Sequence, residues 1–301
     1  MSLRPVKSII QSKPTMEGAG VKLRRAFGFG ETSEFDPFLL FDDFRNDRPD
    51  DYLAGFPWHP HRGIETITYV LAGEVDHGDS LGNRGTLGAG DVQWMTAGSG
   101  IMHQEMPHGD AKGHMHGFQL WANLPASLKM TAPRYQDIKA DEIPEIVDDD
   151  GTRVRVVVGD FWGKRGPIEG VAADPRYLDI SVPAGRRKTF KVELERHAFA
   201  YVFDGSGDFR AASRPFGVLT EKQANGEDVL VREQTGNRSL VLFDQGDEVT
   251  VEAGDRGIRF LLVSGKPIKE PVAWYGPIVM NTNAELQQAV NELRNGSFIK
   301  A

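Results

Sequence analysis

The sequence predicts an all-β protein made of two antiparallel β domains in tandem and finished by one short helix. Three observations carry this. Thirty-four glycines and seventeen prolines punctuate a chain that is 40% apolar, a composition of strands and turns rather than of a helical bundle. The apolar residues alternate or run in short blocks between Gly, Asp, Asn and Pro, in two separate series. Between the series lies DEIPEIVDDDGT, around residues 141 to 152, an acidic, proline-bearing stretch that reads as an exposed connection.

The first series is RRAFGF, PFLLFDDF, IETITYVLAGEVDH, GDVQWMTAG and HGFQLWANL. The second is RVRVVVGD, RYLDISVPAG, KTFKVEL, HAFAYVFDGSG, RSLVLFDQGDEVTVEAG and IRFLLVSG. LAGEVDHG in the first is echoed by FDGSGDF in the second, and LGAGDVQWM by LFDQGDEVTV, as a duplicated β-barrel would produce. In NTNAELQQAVNELRNGS, Thr282 and Glu285 have capping-box spacing, Leu286, Ala289, Val290 and Leu293 form a stripe, and Gly296 can stop the turn. The stripe is expected to pack on one of the barrels. The expected division is 1–140, 141–270 and an extension over 271–301.

Composition excludes several classes. At 301 residues the chain exceeds the usual single domain. A net charge of -8 argues against direct nucleic-acid binding, which needs a basic face to displace counterions. The one dense basic run, Arg186, Arg187 and Lys188, reads as a solvated turn. With no cysteine there is no disulfide, thiolate metal site or cysteine nucleophile. MSLRPVKSII lacks the apolar core of a signal peptide, and no apolar run is long enough to span a bilayer, so a soluble, cytoplasmic protein without a membrane partner is expected.

The chemistry gathers in two phrases. FPWHPHRGIETITYV sets His59 and His61 one residue apart, and on an extended chain residues i and i+2 share a face. Pro60 between them cannot donate to a ladder, which favours a strand end or edge. QWMTAGSGIMHQEMPHG offers His103 and Glu105 at the same spacing. Three neutral imidazoles and one carboxylate make a mononuclear set that leaves positions open for substrate or dioxygen. Glu65, four residues after His61, would share its face on a regular strand and is the rival: fourth ligand, or acceptor orienting an imidazole.

Other features are read as structural. His114 and His116 repeat the spacing, but the ligand set is complete without them. His77 and His108 lie in polar, glycine-rich phrases and are expected on the surface, and His197 is alone in its domain, which should therefore be metal-free. GFGETSEF and GSGIMH lack the strand and helix context of nucleotide loops. Asp42 and Asp43 end an apolar run and read as a solvated pair.

DPFLLFDDF, FPWHPHRGIETITYVLAGEVDHGDS, GDVQWMTAGSGIMHQEMP, HGFQLWANLP and GPIVMNTNAELQQAV together resemble the pirin family of the cupin superfamily, over residues 36 to 290 and most densely over 36 to 125. The resemblance implies a bicupin, two cupin-type antiparallel β-barrels face to face, with the C-terminal segment closing back over the N-terminal domain. It implies His59, His61, His103 and Glu105 as ligands of one metal in the first barrel, with Glu105 also the catalytic base and Glu65 behind the ligands. Iron is the family's usual metal, although the ligand set also suits Ni, Mn, Co, Cu or Zn. The activity implied is that of a quercetin 2,3-dioxygenase, which opens a flavonol with dioxygen and releases carbon monoxide, in a monomer. Phe56, Trp58, Met102 and Met106 are the candidate lining of a flat pocket. The alternative implied is a metal-dependent regulator that binds a protein partner, nuclear in eukaryotic members.

Overall fold

A strand covered on both faces buries its polar residues with its apolar ones, and in Ile64–Ala72 every residue from Ile64 to Val70 is buried, Glu65, Thr66 and Thr68 included. The computed structural model, which describes residues 2–209, 222–224, 227–229 and 234–300, shows the reason. This strand lies inside a seven-stranded sheet ordered Arg134–Ile138, Val92–Thr96, Ile64–Ala72, His116–Asn123, Phe38–Asp43, Val21–Phe27 and Lys13–Glu17. One face closes over a four-stranded sheet of Phe56–His61, Ile101–His108, Glu74–Asp79 and Arg84–Leu87 to make the first barrel. The other face packs on the second barrel, whose nine-stranded sheet is built around the long strands His197–Phe209 and Glu248–Gly265.

The joint between the barrels is aromatic. Phe27, Phe38 and Phe41 of the first surround Phe199 of the second, with ring centroids 5.3, 5.7 and 5.9 Å away. Two crossed hydrogen bonds frame the rings. Tyr201 Oη donates to Asp43 Oδ2 at 2.7 Å, and Tyr69 Oη donates to Asp179 Oδ2 at 2.7 Å. Each carboxylate is also held by an arginine, Arg45 and Arg259 respectively. Tyr69 and Tyr201 occupy matching places in TYVLAG and AYVFDG, so the echo between the two series is a duplicated contact as well as a duplicated phrase.

Strand pairing departs from the expected boundaries. Val6–Gln11 pairs with Ser239–Phe243, so the first strand of the chain joins the second barrel's sheet. The acidic stretch expected as an exposed connection is largely exposed but contains the edge strand Glu145–Val147, paired with Arg153–Val158. IETITYVLAGEVDH forms two strands that turn at Gly73, whose φ of 78° and whose ideal Cβ, only 2.5 Å from His108 O, both require glycine. Asp42 and Asp43, expected to be solvated, are 4% and 1% exposed, because the strand that carries them is covered on both sides.

The helix Asn283–Arg294 is capped as expected, Glu285 N–H donating to Thr282 Oγ1 at 3.2 Å and Thr282 N–H to Glu285 Oε2 at 2.8 Å. Only part of its stripe is used. Leu286 and Ala289 pack on Ile278, Met280 and Phe298, whereas Leu293 is 37% exposed. The extension is clasped to the first barrel through Arg62, which is 2% exposed, lies 4.1 Å beneath the Phe298 ring and donates to Ser99 O, Glu292 Oε2 and Phe298 O, each at 2.7 Å. Next to it Gly63, at φ 76°, lets the strand Ile278–Met280 approach so closely that an added Cβ would lie 1.9 Å from Val279 O.

Truncating Phe199 to alanine is expected to cost about 3–5 kcal/mol, the usual range for a buried phenylalanine. Urea unfolding monitored by circular dichroism measures it; a cost below about 1 kcal/mol would show that the barrels do not depend on this joint.

Candidate metal centre

The four-stranded sheet places the site by register. His103 faces His59 on one neighbouring strand and Asp79 on the other, while Glu105 faces Phe56 and His77. Cross-strand partners share a face of the sheet, so the His103 and Glu105 side chains enter the barrel beside His59 and His61. One ring nitrogen from each of His59, His61 and His103 lies within 4.8 Å of the others. Ring centroids are 4.3 to 4.9 Å apart.

Protonation suits ligation. His59 Nδ1–H donates to Pro57 O at 2.8 Å, since a carbonyl can only accept, and this turns the lone pair of Nε2 toward the cluster. His59 Nε2 and His61 Nε2 are 3.1 Å apart. Burial, then the neighbouring imidazoles, hold His61 and His103 well below the usual histidine range, so both rings are neutral. Both nitrogens of His103 are buried without a hydrogen-bond partner, and an ion in the cluster would take one of them. Neutral imidazoles converging with orphaned nitrogens are costly unless a cation accepts their lone pairs, and the residues therefore fit a metal ion.

Glu105 stands at the edge of the cluster. Its Oε2 is 4.0 Å from His103 Nε2, and its Oε1 accepts from Thr68 Oγ1 at 3.1 Å. Burial raises its pKa. Thr68 Oγ1 also lies 2.9 Å from Gln119 Oε1. Thr68 and Gln119 belong to a polar rank that the registers carry across the seven-stranded sheet: Arg25, Asp42, Gln119, Thr68, Gln93 and Asp137 are successive cross-strand partners. No sequence signal announced this rank, because each member is a lone polar residue on a different strand.

The cluster opens on a cavity of about 630 Å³. Phe29, Phe56, Trp121 and Trp274 form aromatic walls, and His59, His61 and Glu105 reach it at one end. Trp121 stands edge-on to His61, with centroids 5.1 Å apart at 89°. Of the four expected pocket residues only Phe56 lines the cavity; Trp58, Met102 and Met106 do not. Phe29, Trp121 and Trp274 are not among the expected residues, since they come from a distant loop, from the neighbouring strand His116–Asn123 and from the C-terminal extension.

His77, expected on the surface, is 6% exposed and stacks on Tyr135 at 5.9 Å, with Asp137 Oδ2 3.5 Å from its Nε2. Gly85 makes room for it: a Cβ there would lie 2.6 Å from His77 Nε2. His108 pairs with Asp76 at the surface, and His114 and His116 flank Asp47. Among the described residues His59, His61 and His103 form the one group with metal-binding spacing.

Comparison with known proteins agrees with the fold and extends the resemblance. The family model described as Pirin matches residues 20–122, and the one described as Pirin C-terminal cupin domain matches residues 177–299. A pirin-like protein of Caulobacter vibrioides is 44% identical over 99% of this chain and 100% of its own. Human pirin is 38% identical over 98% of this chain and 93% of its own. The crystal structure of a quercetin 2,3-dioxygenase from Acinetobacter baumannii superposes with a TM-score of 0.83 at 30% identity, covering 99% of both chains.

Glu65 faces away from the histidines. Its Oε1 accepts from Thr96 Oγ1 at 2.8 Å and its Oε2 from Ala172 N–H at 3.4 Å, and it does not line the cavity. Burial pushes its pKa up to about 7. The folded state therefore holds this proton more tightly than the unfolded chain, and the contribution to stability is full below about pH 4.5 and is lost as pH rises toward 7, a loss of about 3 kcal/mol. Glu65→Gln should flatten the dependence of Tm on pH across that window in differential scanning calorimetry; an unaltered profile would mean that Glu65 does not carry it.

Proposed function

The chain belongs to the pirin family of the cupin superfamily, and we propose that it is a metal-dependent dioxygenase of the quercetin 2,3-dioxygenase type, acting on a flat aromatic substrate. The observation that carries this reading is the convergence of His59, His61 and His103 at the end of an aromatic-walled cavity, with Glu105 beside them. His59, His61, His103 and Glu105 would hold the ion. Iron(II), or another divalent metal bound there, supplies Lewis acidity toward a phenolic oxygen and, if redox-active, one-electron chemistry with dioxygen.

The protein's own contribution is positioning and proton transfer. Trp121 and Trp274, 6.1 Å apart, offer rings against which a flavonol can lie, and the apolar walls exclude water around it. Glu105, beside the histidine cluster and open to the cavity, takes the proton of the substrate's enolic hydroxyl. Thr68 and Gln119 serve both states of that carboxyl. When it is ionised, Gln119 donates to Thr68 and Thr68 to Glu105 Oε1, an arrangement reached by rotating the Gln119 amide. When it is protonated the chain runs the other way, from Glu105 through Thr68 to Gln119 Oε1. The proton stays at the site for delivery to the product.

A second reading, recognition of a protein partner, is favoured by apolar side chains exposed beside the cavity. Phe29 is 74% exposed, Trp58 next to His59 is 51% and Tyr275 next to Trp274 is 66%. A partner covering the mouth would bury all three.

Anaerobic reconstitution with Fe(II), followed by quercetin and dioxygen, tests the dioxygenase reading through loss of flavonol absorbance and release of carbon monoxide. His61→Ala is expected to lower bound metal and turnover together while circular dichroism remains that of a folded barrel. Stoichiometric metal in the wild type without turnover would move the function to the partner-binding reading. Glu105→Gln should lower kcat about 100-fold or more, and Glu65→Gln far less; the reverse ranking would return the carboxylate role to Glu65.

A further inference from the structure

The far side of the cavity carries a second polar station that the proposed chemistry does not use. Arg25 lies in a fork with Asp42, Nε donating to Oδ1 at 2.8 Å and Nη2 to Oδ2 at 2.7 Å, and its Nη1 is 2.9 Å from Glu17 Oε1. All three side chains line the cavity. Asp42 is 4% exposed, and burying a carboxylate is costly unless it is paired, so the bidentate guanidinium accounts for its presence.

Two properties define what such a station binds. Two carboxylates share one guanidinium, leaving a net negative charge that disfavours an anionic ligand group. Each carboxylate oxygen has a lone pair beyond the one that Arg25 uses, so the station offers acceptors to hydroxyl groups. Its place fixes the ligand's length. Asp42 is the cross-strand neighbour of Gln119, and Gln119 that of Thr68, which bonds Glu105. Two strand spacings separate Asp42 from Thr68, roughly 10 Å, the span of a fused aromatic ligand with one further ring.

We propose that Glu17, Arg25 and Asp42 form a hydroxyl-binding station that selects polyhydroxylated aromatic substrates, holding the ring farthest from the histidine cluster by its phenolic hydroxyls. The proposal rests on the dioxygenase reading for the orientation of the ligand, but not for the binding itself. The ion pair keeps both carboxylates aimed into the cavity before the ligand arrives, so little rotamer freedom is lost on binding. A ligand without outer hydroxyls leaves the second lone pairs of the Asp42 carboxylate without a donor, which is the stronger source of discrimination.

Quercetin and 3-hydroxyflavone test this, since both keep the 3-hydroxy-4-keto group and only quercetin carries hydroxyls on its outer rings. Binding to the metal-free protein is read from quenching of tryptophan fluorescence, and kcat/KM from the Fe(II)-reconstituted protein. The wild type should bind quercetin at least about 10-fold more tightly than 3-hydroxyflavone. Asp42→Asn and Glu17→Gln should each weaken quercetin more than 3-hydroxyflavone, compressing that ratio severalfold and acting on KM more than on kcat. Glu17 is on the partly exposed side of the pair, so its variant answers even where Asp42→Asn fails to fold. Equal affinity of the wild type for both flavonols, equal weakening of both in the variants, or binding of neither overturns the proposal. Hydroxyl-dependent binding without turnover supports the station and sinks the dioxygenase reading; turnover without hydroxyl discrimination does the opposite.

Discussion

The contact on which the rest of this structure depends is the one between the two barrels, made by a single face of the seven-stranded sheet. Phe27, Phe41, Tyr69 and Phe118 from that face join Phe199, Tyr201 and Leu261 in one dry cluster. Because strand side chains alternate, committing Ile67 and Tyr69 to the joint sends Thr66 and Thr68 to the interior of the first barrel. A slip of one residue would put Tyr69 against Glu105 and Thr68 in the aromatic joint. Register at the site is thus enforced from outside it, and the crossed Tyr201–Asp43 and Tyr69–Asp179 bonds hold that register at two points.

Within the barrel, the same alternation assembles a polar rank in a place where isolated polar residues would be expensive. Arg25 and Asp42 pair, Gln119 and Thr68 bond each other, and Gln93 Nε2 donates to Asp137 Oδ1 at 2.9 Å. Its buried members, Asp42, Thr68 and Gln93, each have a polar neighbour across the ladder. The rank links the candidate metal centre at Glu105 to the ion pair across the cavity, so one structural device orients a proton acceptor at one end and hydroxyl acceptors at the other. The other walls are aromatic and aliphatic, which leaves this rank to decide how a ligand lies.

The third element of the site comes from far along the chain. Lys129 Nζ donates to Gly63 O at 2.9 Å, Asn123 Oδ1 at 2.7 Å and Val279 O at 3.0 Å, binding the turn after His61 to the C-terminal strand. Arg62 fastens the same turn to Glu292 and Phe298. These two buried side chains bring Trp274 and Pro277 over the cavity, and they explain why HPHR is followed by glycine at 63: any side chain there would hold the C-terminal strand away.

The sequence by itself determined what depends on short-range geometry. The i and i+2 spacing of His59 with His61 and of His103 with Glu105 put each pair on one strand face, and the glycine-punctuated apolar runs marked two β domains. The capping box of the last helix was legible for the same reason, being complete within four residues. What only the tertiary structure decided was which faces meet. Glu65 has the right spacing to share the face of His61, yet the turn at Gly63 separates their strands and leaves it facing Ala172. His77 and the aspartates at 42 and 43 looked like surface residues until a neighbouring strand or the second barrel covered them. The polar rank, the cavity walls and Val6–Gln11 in the second barrel's sheet all rest on pairings between residues tens to hundreds of positions apart, and no local pattern encodes such pairings.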